Sequence, residues 1–385
     1  MKARISVAVM FALFAAITSG GCGSSDSSPQ SESQRMLQAM TLREKVGQMF
    51  IIRPEHLCPN LSAEEIHYNL QSFDVELNDD MRASLKDYPA GGFAIFSRNI
   101  KSPEQLRKLI ADLKEASSTV PFIAVDEEGG RVARLGNHSS FDVPKPEPMQ
   151  TIGDTGEPGQ AFDAGSTIGK YIKEYGFNLD FAPVADVNTN PDNIVIGDRA
   201  FGSDPQLVSE MVSAFLDGLH SEGILGTIKH FPGHGDTTSD THSGYVAVFK
   251  TWDELLEAEL IPFIDNFEKT DLVMTAHITM RNVTSDDLPA TISRELLTGR
   301  LREELGYDGV IITDSMEMAA INESYPSGEA AVRVVEAGGD IILLPYDYRA
   351  SFNAVLEAVN SGRLTEERIN ESVSRILALK FKEGE

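Results

Sequence analysis

The side chains with the most evident chemistry are concentrated in residues 229–242, which read KHFPGHGDTTSDTH. This stretch carries one lysine, three histidines and two aspartates between glycines. It follows the apolar run 224–228, which predicts a strand. Loops at strand ends often carry catalytic groups because a rigid scaffold positions them. So many titratable groups add little to stability, and we interpret the stretch as a catalytic loop.

Asp314 is a second candidate, because it directly follows the apolar run 309–313. A carboxylate at the end of a buried strand can act as a nucleophile, as a metal ligand or as a hydrogen-bond acceptor for a substrate. The residue type and its position leave these three roles open.

Eight short apolar runs recur along the chain, and amphipathic, helix-like stretches lie between them. Continuous apolar runs are typical of strands buried on both faces, as in a parallel sheet. Eight such units favour a single α/β domain built as a (β/α)8 TIM-type barrel over a doubly wound sheet. The runs are 46–52, 92–96, 121–125, 179–184, 225–228, 272–276, 309–313 and 341–344. The predicted helices include 102–116, 158–175, 205–221, 251–267 and 293–305.

A barrel of this kind places its active site at the carboxyl ends of its strands. Nearly every apolar run ends in a polar or ionisable residue, which predicts that these residues surround one site. They are Arg53, Arg98, Asn99, Asp126, Asp186, Lys229, His230, His277, Asp314 and Tyr346. Residues 54–89 are acidic and polar, and we interpret them as an insertion after the first strand that shapes this end of the barrel.

The first residues carry the pattern of an export signal. A short basic region precedes an apolar stretch that is too short to span a membrane, and small residues lead to Cys22. This arrangement resembles a bacterial lipobox, although Ser19 stands where leucine is commonest; an ordinary cleaved signal peptide is the alternative. We expect a lipoprotein-type signal peptide at 1–21, lipidation of Cys22, a flexible serine-rich tether at 22–35 and a folded domain at 36–385.

The formal net charge of −26 argues against nucleic acid as a partner and against docking on anionic lipid. We therefore expect contact with a membrane only through the lipid anchor, and we expect a monomer. Cys58 is the second of two cysteines, so acylation of Cys22 excludes an intramolecular disulfide. The fold must then be held by its core.

Four blocks of sequence, in the same order, resemble the signatures of glycoside hydrolase family 3. They are 125–132 (VDEEGGRV), 196–202 (IGDRAFG), the loop 229–242 and 305–318 (LGYDGVIITDSMEM). The resemblance spans residues 36–380. The Lys-His pair followed by Asp-x-His is similar to the β-N-acetylglucosaminidase branch. The chain ends soon after the eighth unit, so we expect the barrel itself to supply the proton donor.

The resemblance implies a retaining mechanism through a covalent glycosyl-enzyme, without a cofactor or a metal. In it Asp314 is the nucleophile, while His242 protonates the leaving oxygen and later activates water. Asp240 orients the imidazole of His242 and stabilises its charged form. Asp240 and His242 are two residues apart, so on an extended segment their side chains lie on the same side of the backbone.

The same resemblance implies a sugar subsite, in which carboxylates accept hydrogen bonds from hydroxyls and basic side chains donate to hydroxyl and acetamido oxygens. Its residues are Asp126, Arg134, Arg199, Lys229 and His230. For both arginines a structural ion pair near the rim is the alternative. No role carries over to Glu127 and Glu128, which we interpret as helix-start or rim carboxylates, and we interpret His277 as a hydrogen-bonded structural histidine.

We therefore expect an exported, lipid-anchored, exo-acting β-N-acetylglucosaminidase of the cell envelope, acting on terminal β-linked GlcNAc of peptidoglycan fragments or chitin-type oligosaccharides. The insertion 54–89 is expected to shape the aglycone site. Three alternatives stay open. The loop histidines and aspartates could bind a metal, although their spacing matches no closed zinc pattern. The barrel could be a non-catalytic wall-binding lipoprotein, or phosphate could replace water and make the enzyme a phosphorylase.

Overall fold

Strands form around the apolar runs of the sequence. The computed structural model describes residues 31–68, 76–237 and 244–382, which belong to one compact unit from Glu32 onward. The strands in chain order are β1 (Phe50–Ile52), β2 (Gly92–Ala94), β3 (Phe122–Val125), β4 (Glu127–Gly129), β5 (Val132–Ala133), β6 (Leu179–Asp180), β7 (Leu225–Phe231), β8 (Val246–Thr251), β9 (Leu272–Thr275), β10 (Ile278–Asn282), β11 (Val310–Thr313) and β12 (Ile342–Leu343).

Eight of these strands form one parallel sheet, in the order β11-β9-β7-β6-β3-β2-β1-β12. A parallel bridge joins Ile312 in β11 to Ile341, directly before β12, so the edge strands meet and the sheet closes. Every residue of β1, β3, β9 and β11 is buried, because helices cover the outside and side chains fill the inside. The predicted (β/α)8 barrel is confirmed.

Amphipathic helices cover the barrel. In chain order they are α1 (Glu32–Ala39), α2 (Leu42–Gln48), α3 (Ala63–Tyr68), α4 (Asp79–Asp87), α5 (Pro103–Ala116), α6 (Met149–Gly153), α7 (Pro158–Tyr175), α8 (Pro205–Ser221), α9 (Trp252–Glu257), α10 (Ile261–Ile264), α11 (Ala319–Asn322), α12 (Ser327–Ala337), α13 (Tyr348–Asn360) and α14 (Glu366–Lys380). The side chains of Ser102 and Asp204 cap α5 and α8, and each of these helices has proline in its first turn.

The structure differs from the sequence prediction where local signals divide an element. The run 46–52 begins in a helix, because a capping box between Thr41 and Glu44 starts α2, so β1 is shorter than predicted. The predicted helix 251–267 is divided into α9 and α10, and α10 has Pro262 in its first turn. A π-helix at Glu295–Glu304 takes the place of the predicted helix 293–305.

The segment 54–89 folds between β1 and β2, apart from residues 69–75, which lie outside the described residues. Helix α4 connects to β2 as the helix of the first βα unit, and its Met81 and Leu85 belong to the main core. A 3-10 turn at Pro54–Leu57 and helix α3 come before it. These two elements are the additional part of the unit. Across the described chain, none of the helices has both the length and the apolar character to cross a membrane.

Candidate active site

A cavity of about 660 Å³ opens at the carboxyl ends of the barrel strands. Most of the strand-end residues predicted from the sequence line it, together with both predicted arginines. These lining residues are Arg53, Arg98, Asp126, Arg134, Arg199, Lys229, His230 and Asp314. Three other strand-end residues, Asn99, Asp186 and His277, are buried. As expected for strand ends in a barrel, most of these residues converge on one cavity, and their catalytic and binding roles stay predictions.

Asp314 directly follows β11 and lines the cavity. Its backbone N–H donates to the Thr275 carbonyl at 3.0 Å, and its carboxylate accepts a hydrogen bond from the Ser315 N–H at 2.7 Å. Burial acts to raise the pKa of Asp314, but the nearby His230 and His277 outweigh it and hold this pKa below its ordinary value. The carboxylate is therefore ionised at neutral pH, as a nucleophile requires.

Five charged side chains form a compact network beside Asp314, which we call the Lys229 cluster. Its members are Asp126, Glu128, Arg134, Arg199 and Lys229. The Lys229 ammonium lies 2.5 Å from Glu128 and 3.1 Å from Asp126. Arg199 donates two hydrogen bonds of 2.8 Å to Glu128, and Arg134 donates one of 3.0 Å to Asp126. The predicted sugar-binding residues are thus brought together through carboxylate bridges.

The pairing fixes the charge state of this cluster. Burial acts to raise the pKa of Glu128, but Arg199 and Lys229 hold it far below its ordinary value. Lys229 and Arg134 likewise lower the pKa of Asp126 against the effect of burial. Burial acts to lower the pKa of Lys229, and the two carboxylates raise it above its ordinary value. All of these groups stay charged throughout the physiological pH range.

Asp186 holds His230 in one orientation. The Asp186 carboxylate is fully buried and lies 2.7 Å from His230 Nδ1. It also accepts hydrogen bonds from the backbone N–H groups of His230 and His234, at 3.2 and 2.6 Å. Because the Asp186 carboxylate already accepts two backbone hydrogen bonds, we assign the donor role in this pair to Nδ1 of His230. The Nε2 atom lies 3.5 Å from Arg199.

Two further histidines are fixed by hydroxyl and carbonyl groups. The ring of His277 lies 2.8 Å from the Thr291 hydroxyl and 2.9 Å from the Ser315 carbonyl, so it supports the residue after Asp314. These bonds agree with the predicted structural role. His234 Nδ1 lies 2.7 Å from the Thr237 hydroxyl, and burial, followed by the proximity of His230, lowers the pKa of His234.

A second group of charged side chains lies toward α3, and we call it the Glu317 cluster. Its members are Arg53, Glu55, His56, His67 and Glu317. Arg53 lies 2.5 Å from Glu317 and 3.5 Å from Glu55. Burial acts to raise the pKa of Glu317, but the nearby His67 and the charge of Arg53 hold this pKa below its ordinary value. The same cavity is therefore flanked by two separate charged clusters.

Sequence reasoning missed several residues of these clusters. Glu127 and Glu128 lie in β4, so the helix-start interpretation is wrong. The Glu127 carboxylate accepts hydrogen bonds from the N–H groups of residues 134–136 and thereby positions the loop that carries Arg134. Three consecutive acidic residues after a buried run were the only available signal. Glu317 gave no signal at all, since its partners lie far away in the sequence.

Three predicted residues, Asp240, His242 and Cys22, lie outside the described residues, and their roles stay predictions. Within residues 31–68, 76–237 and 244–382, no three His, Cys, Asp or Glu side chains form a group that could hold a metal ion. The metal alternative also involves Asp240 and His242, so it stays with the predictions.

Comparison with known proteins identifies the same family that the four sequence blocks resemble. The sequence profile of the glycosyl hydrolase family 3 N terminal domain matches residues 41–379. The chain is 31% identical over 373 residues to the Beta-hexosaminidase A of Pseudoalteromonas piscicida, an alignment that covers 89% of this chain and 61% of that protein. It is 35% identical over 290 residues to a Beta-hexosaminidase of Tolumonas auensis, covering 74% of this chain and 84% of that protein.

A solved structure supports the same relationship. The glycoside hydrolase family 3 beta-N-acetylglucosaminidase from Paenibacillus sp. FPU-7 superposes with a TM-score of 0.80 and 38% sequence identity. The superposition covers 89% of this chain and 62% of that structure. The chain therefore spans about three fifths of the length of this structure and of the Pseudoalteromonas protein, and most of the Tolumonas protein.

Proposed function

This chain belongs to glycosyl hydrolase family 3, and we propose that it is an exo-acting β-N-acetylglucosaminidase that removes terminal β-linked GlcNAc with retention of configuration. The names of two relatives and of a similar structure support the sugar specificity. The proposal depends most on one observation: the Asp314 carboxylate lines the same cavity as the Lys229 cluster and has a lowered pKa that keeps it ionised.

In the first step, a carboxylate oxygen of Asp314 forms a bond to the anomeric carbon of the sugar. The bond from that carbon to the leaving oxygen breaks, and the proton that this oxygen needs comes from His242 in its charged form. Asp240 stabilises the imidazolium before the transfer. General acid catalysis of this kind is worth about 10²–10⁴-fold in rate.

In the second step, neutral His242 takes a proton from a water molecule, whose oxygen attacks the anomeric carbon and releases Asp314. Two displacements on opposite faces of the sugar restore the β configuration. The His230 ring and the Ser315 N–H stabilise the carboxylate of Asp314 as the free anion, which favours its release.

Exposure separates the residues that contact the sugar from those that support them. The side chains of Asp126, Arg134 and Arg199 are 19%, 27% and 13% exposed. Those of Lys229 and Glu128 are 2% exposed. Asp126 and the two arginines thus bind hydroxyl and acetamido oxygens, while Glu128 and Lys229 hold these three side chains in place.

The test is hydrolysis of a chromogenic β-GlcNAc glycoside and of the matching β-glucoside. Wild type, Asp314→Asn and His242→Ala are compared by kcat/KM, and a thermal melt verifies that each variant is folded. We expect strong preference for GlcNAc, loss of turnover in Asp314→Asn, and a reduction of about 10²–10⁴-fold in His242→Ala.

Each competing function has its own outcome in this test. Absence of turnover by folded wild type overturns the proposal in favour of a wall-binding protein. Release of sugar 1-phosphate in phosphate buffer indicates a phosphorylase. Loss of activity after dialysis against a chelator, with recovery on adding a metal ion, indicates a metal-dependent hydrolase.

We also propose that the protein is an exported monomer anchored through lipidated Cys22, on the strength of the signal-like pattern in residues 1–22. Cell fractionation tests the anchor: wild type should be found with membranes and Cys22→Ala in the soluble fraction. Light scattering of the solubilised protein tests the oligomeric state.

A further inference from the structure

Helix α3 presents an exposed aromatic side chain to the active-site cavity. Tyr68 lines the cavity together with Asp314, yet the residue is 66% exposed. Its ring meets the His67 ring edge-on at 4.7 Å, and the His67 ring lies 5.2 Å from that of Tyr346. An aromatic face left open to water beside a sugar site is suited to the apolar C–H face of a pyranose ring.

The position of this aromatic group is tied to the nucleophile. Glu317 follows Asp314 by three residues, and its carboxylate lies 3.8 Å from His67 Nδ1. Arg98 donates a hydrogen bond of 3.2 Å to the carbonyl of Ile66 in α3. These contacts connect the helix to the segment that carries Asp314 and so place Tyr68 on the same cavity as that residue.

This side of the cavity has no surplus of positive charge. Both of its arginines already face carboxylates: Arg53 is paired with Glu317 and Glu55, and Arg98 lies 3.9 Å from Glu55. Glu323 also lines the cavity. Burial raises the pKa of Tyr346, and the nearby Tyr68, Glu64 and Glu317 add to this effect, so two further acidic groups face this side. A negatively charged leaving group would be disfavoured here.

We propose that Tyr68, positioned by His67, Glu317 and Arg98, forms the aglycone subsite and that this subsite takes an uncharged pyranose ring. This inference rests on the proposed function and makes it more specific. The substrate is then a β-linked oligosaccharide of neutral sugars, such as a chitin-type GlcNAc chain, rather than a fragment whose leaving sugar carries a carboxylate.

The experiment compares two substrates with leaving groups of similar chemistry and different size. They are methyl β-GlcNAc and the β-1,4-linked GlcNAc disaccharide, since both release an alcohol and only the second places a ring on Tyr68. We expect Tyr68→Ala to lower kcat/KM for the disaccharide about tenfold, equivalent to about 1.4 kcal/mol, mostly through KM. The methyl glycoside should change less than about twofold. Tyr68→Phe should behave as wild type.

Phe162→Ala is the matched control, because Phe162 is an exposed aromatic residue on α7 that does not line this cavity. It should leave both substrates unchanged. An equal loss for both substrates in Tyr68→Ala, or no loss for either, overturns the subsite. A kcat/KM for the disaccharide of GlcNAc with N-acetylmuramic acid that exceeds that for the GlcNAc disaccharide overturns the preference for an uncharged ring. Absence of hydrolysis of both substrates by folded wild type overturns the proposed function itself.

Discussion

The two charged clusters that flank the cavity use the same residue types but differ in how completely their polar atoms are bonded. In the Lys229 cluster, each of the five side chains has a hydrogen bond or an ion pair within the cluster, and only Arg134 Nε is buried without a partner. In the Glu317 cluster, buried polar atoms of four residues have no hydrogen-bond partner within the described part of the chain. They are Arg53 Nε, Glu55 Oε1, both ring nitrogens of His56 and His67 Nδ1.

This difference separates a rigid site from an adaptable one. Four of these five atoms lie in ion pairs of 3.5–3.8 Å, which are longer than hydrogen bonds. The Glu317 cluster is therefore bonded less tightly than the Lys229 cluster, whose ion pairs lie at 2.5–3.1 Å. A saturated network holds its side chains in one arrangement, which suits recognition of a single terminal sugar. The loosely bonded Glu317 cluster can form new hydrogen bonds with a ligand. This property suits a site that binds leaving groups of different structure.

The largest expected effect is a loss of activity that does not depend on which cluster the substrate contacts. Asp314→Asn removes the proposed nucleophile, on which hydrolysis of every substrate depends, so kcat/KM should fall by more than about 10⁴-fold. The loss should be equal for methyl β-GlcNAc and for the GlcNAc disaccharide. A loss that depends on the leaving group would show that Asp314 acts on the aglycone side, which contradicts the nucleophile assignment.

Glu128→Gln should break the Lys229 cluster. The change leaves Arg199 and Lys229 facing each other without their shared carboxylate, in a region where Glu128 and Lys229 are 2% exposed. Breaking a buried ion pair costs about 3–5 kcal/mol. We expect kcat/KM to fall by about 10²–10³-fold for every substrate, whatever its leaving group, and the melting temperature to fall as well.

Asp198→Asn is the matched control for this prediction. Asp198 also pairs with an arginine, Arg131, but both side chains are more than two fifths exposed. Exposed pairs contribute little, so activity and melting temperature should stay close to wild type. If Glu128→Gln behaved like this control, the Lys229 cluster would not be the rigid element that the comparison requires.

The Glu317 cluster should weaken in acid before the Lys229 cluster does. Burial, opposed by Glu317, lowers the pKa of His56 to about 4, below its ordinary value of 6.5. The unfolded chain then binds a proton at this histidine below pH 6.5 while the folded protein binds it only near pH 4. The contribution of neutral His56 to the free energy of unfolding is therefore fully present above pH 6.5. It declines as the pH falls toward 4, by up to about 3 kcal/mol.

The measurement is the free energy of unfolding in urea at several pH values between 7 and 4.5. His56→Asn should show a shallower loss of stability toward acid than wild type. His138→Asn, which removes a histidine outside both clusters, is the control. Identical slopes in wild type and His56→Asn would mean that His56 is protonated in the fold and that this cluster is not acid-sensitive.

The sequence predicts the barrel and most of the Lys229 cluster for a simple physical reason. Parallel strands buried on both faces produce continuous apolar runs, and a polar residue at the end of such a run must face the open end of the barrel. Asp126, Lys229 and Asp314 follow this rule directly. Errors occur where a local signal overrides the run, as when the capping box at Thr41 and Glu44 begins a helix inside an apolar stretch.

The supporting residues could not be predicted in this way, because their roles depend on partners that are distant in sequence. Glu128 and Arg199 are 71 residues apart, and Arg53 and Glu317 are 264 apart. No periodicity relates such pairs. The assignments of Asp240 and His242 rest on family resemblance, since the described structure does not include them.

The smallest expected effect concerns Glu317, whose carboxylate connects Arg53 to His67 and so holds α3 beside the segment that carries Asp314. Glu317→Gln keeps the shape of the side chain but removes the charge, so α3 and Tyr68 should be held less firmly. We expect KM for the GlcNAc disaccharide to rise about three- to fivefold, with kcat for methyl β-GlcNAc within about twofold of wild type. A role of Glu317 in the chemical step would instead lower kcat equally for both substrates. Combining the change with Tyr68→Ala distinguishes the two cases, because a residue that acts only by positioning Tyr68 should add nothing once Tyr68 is removed.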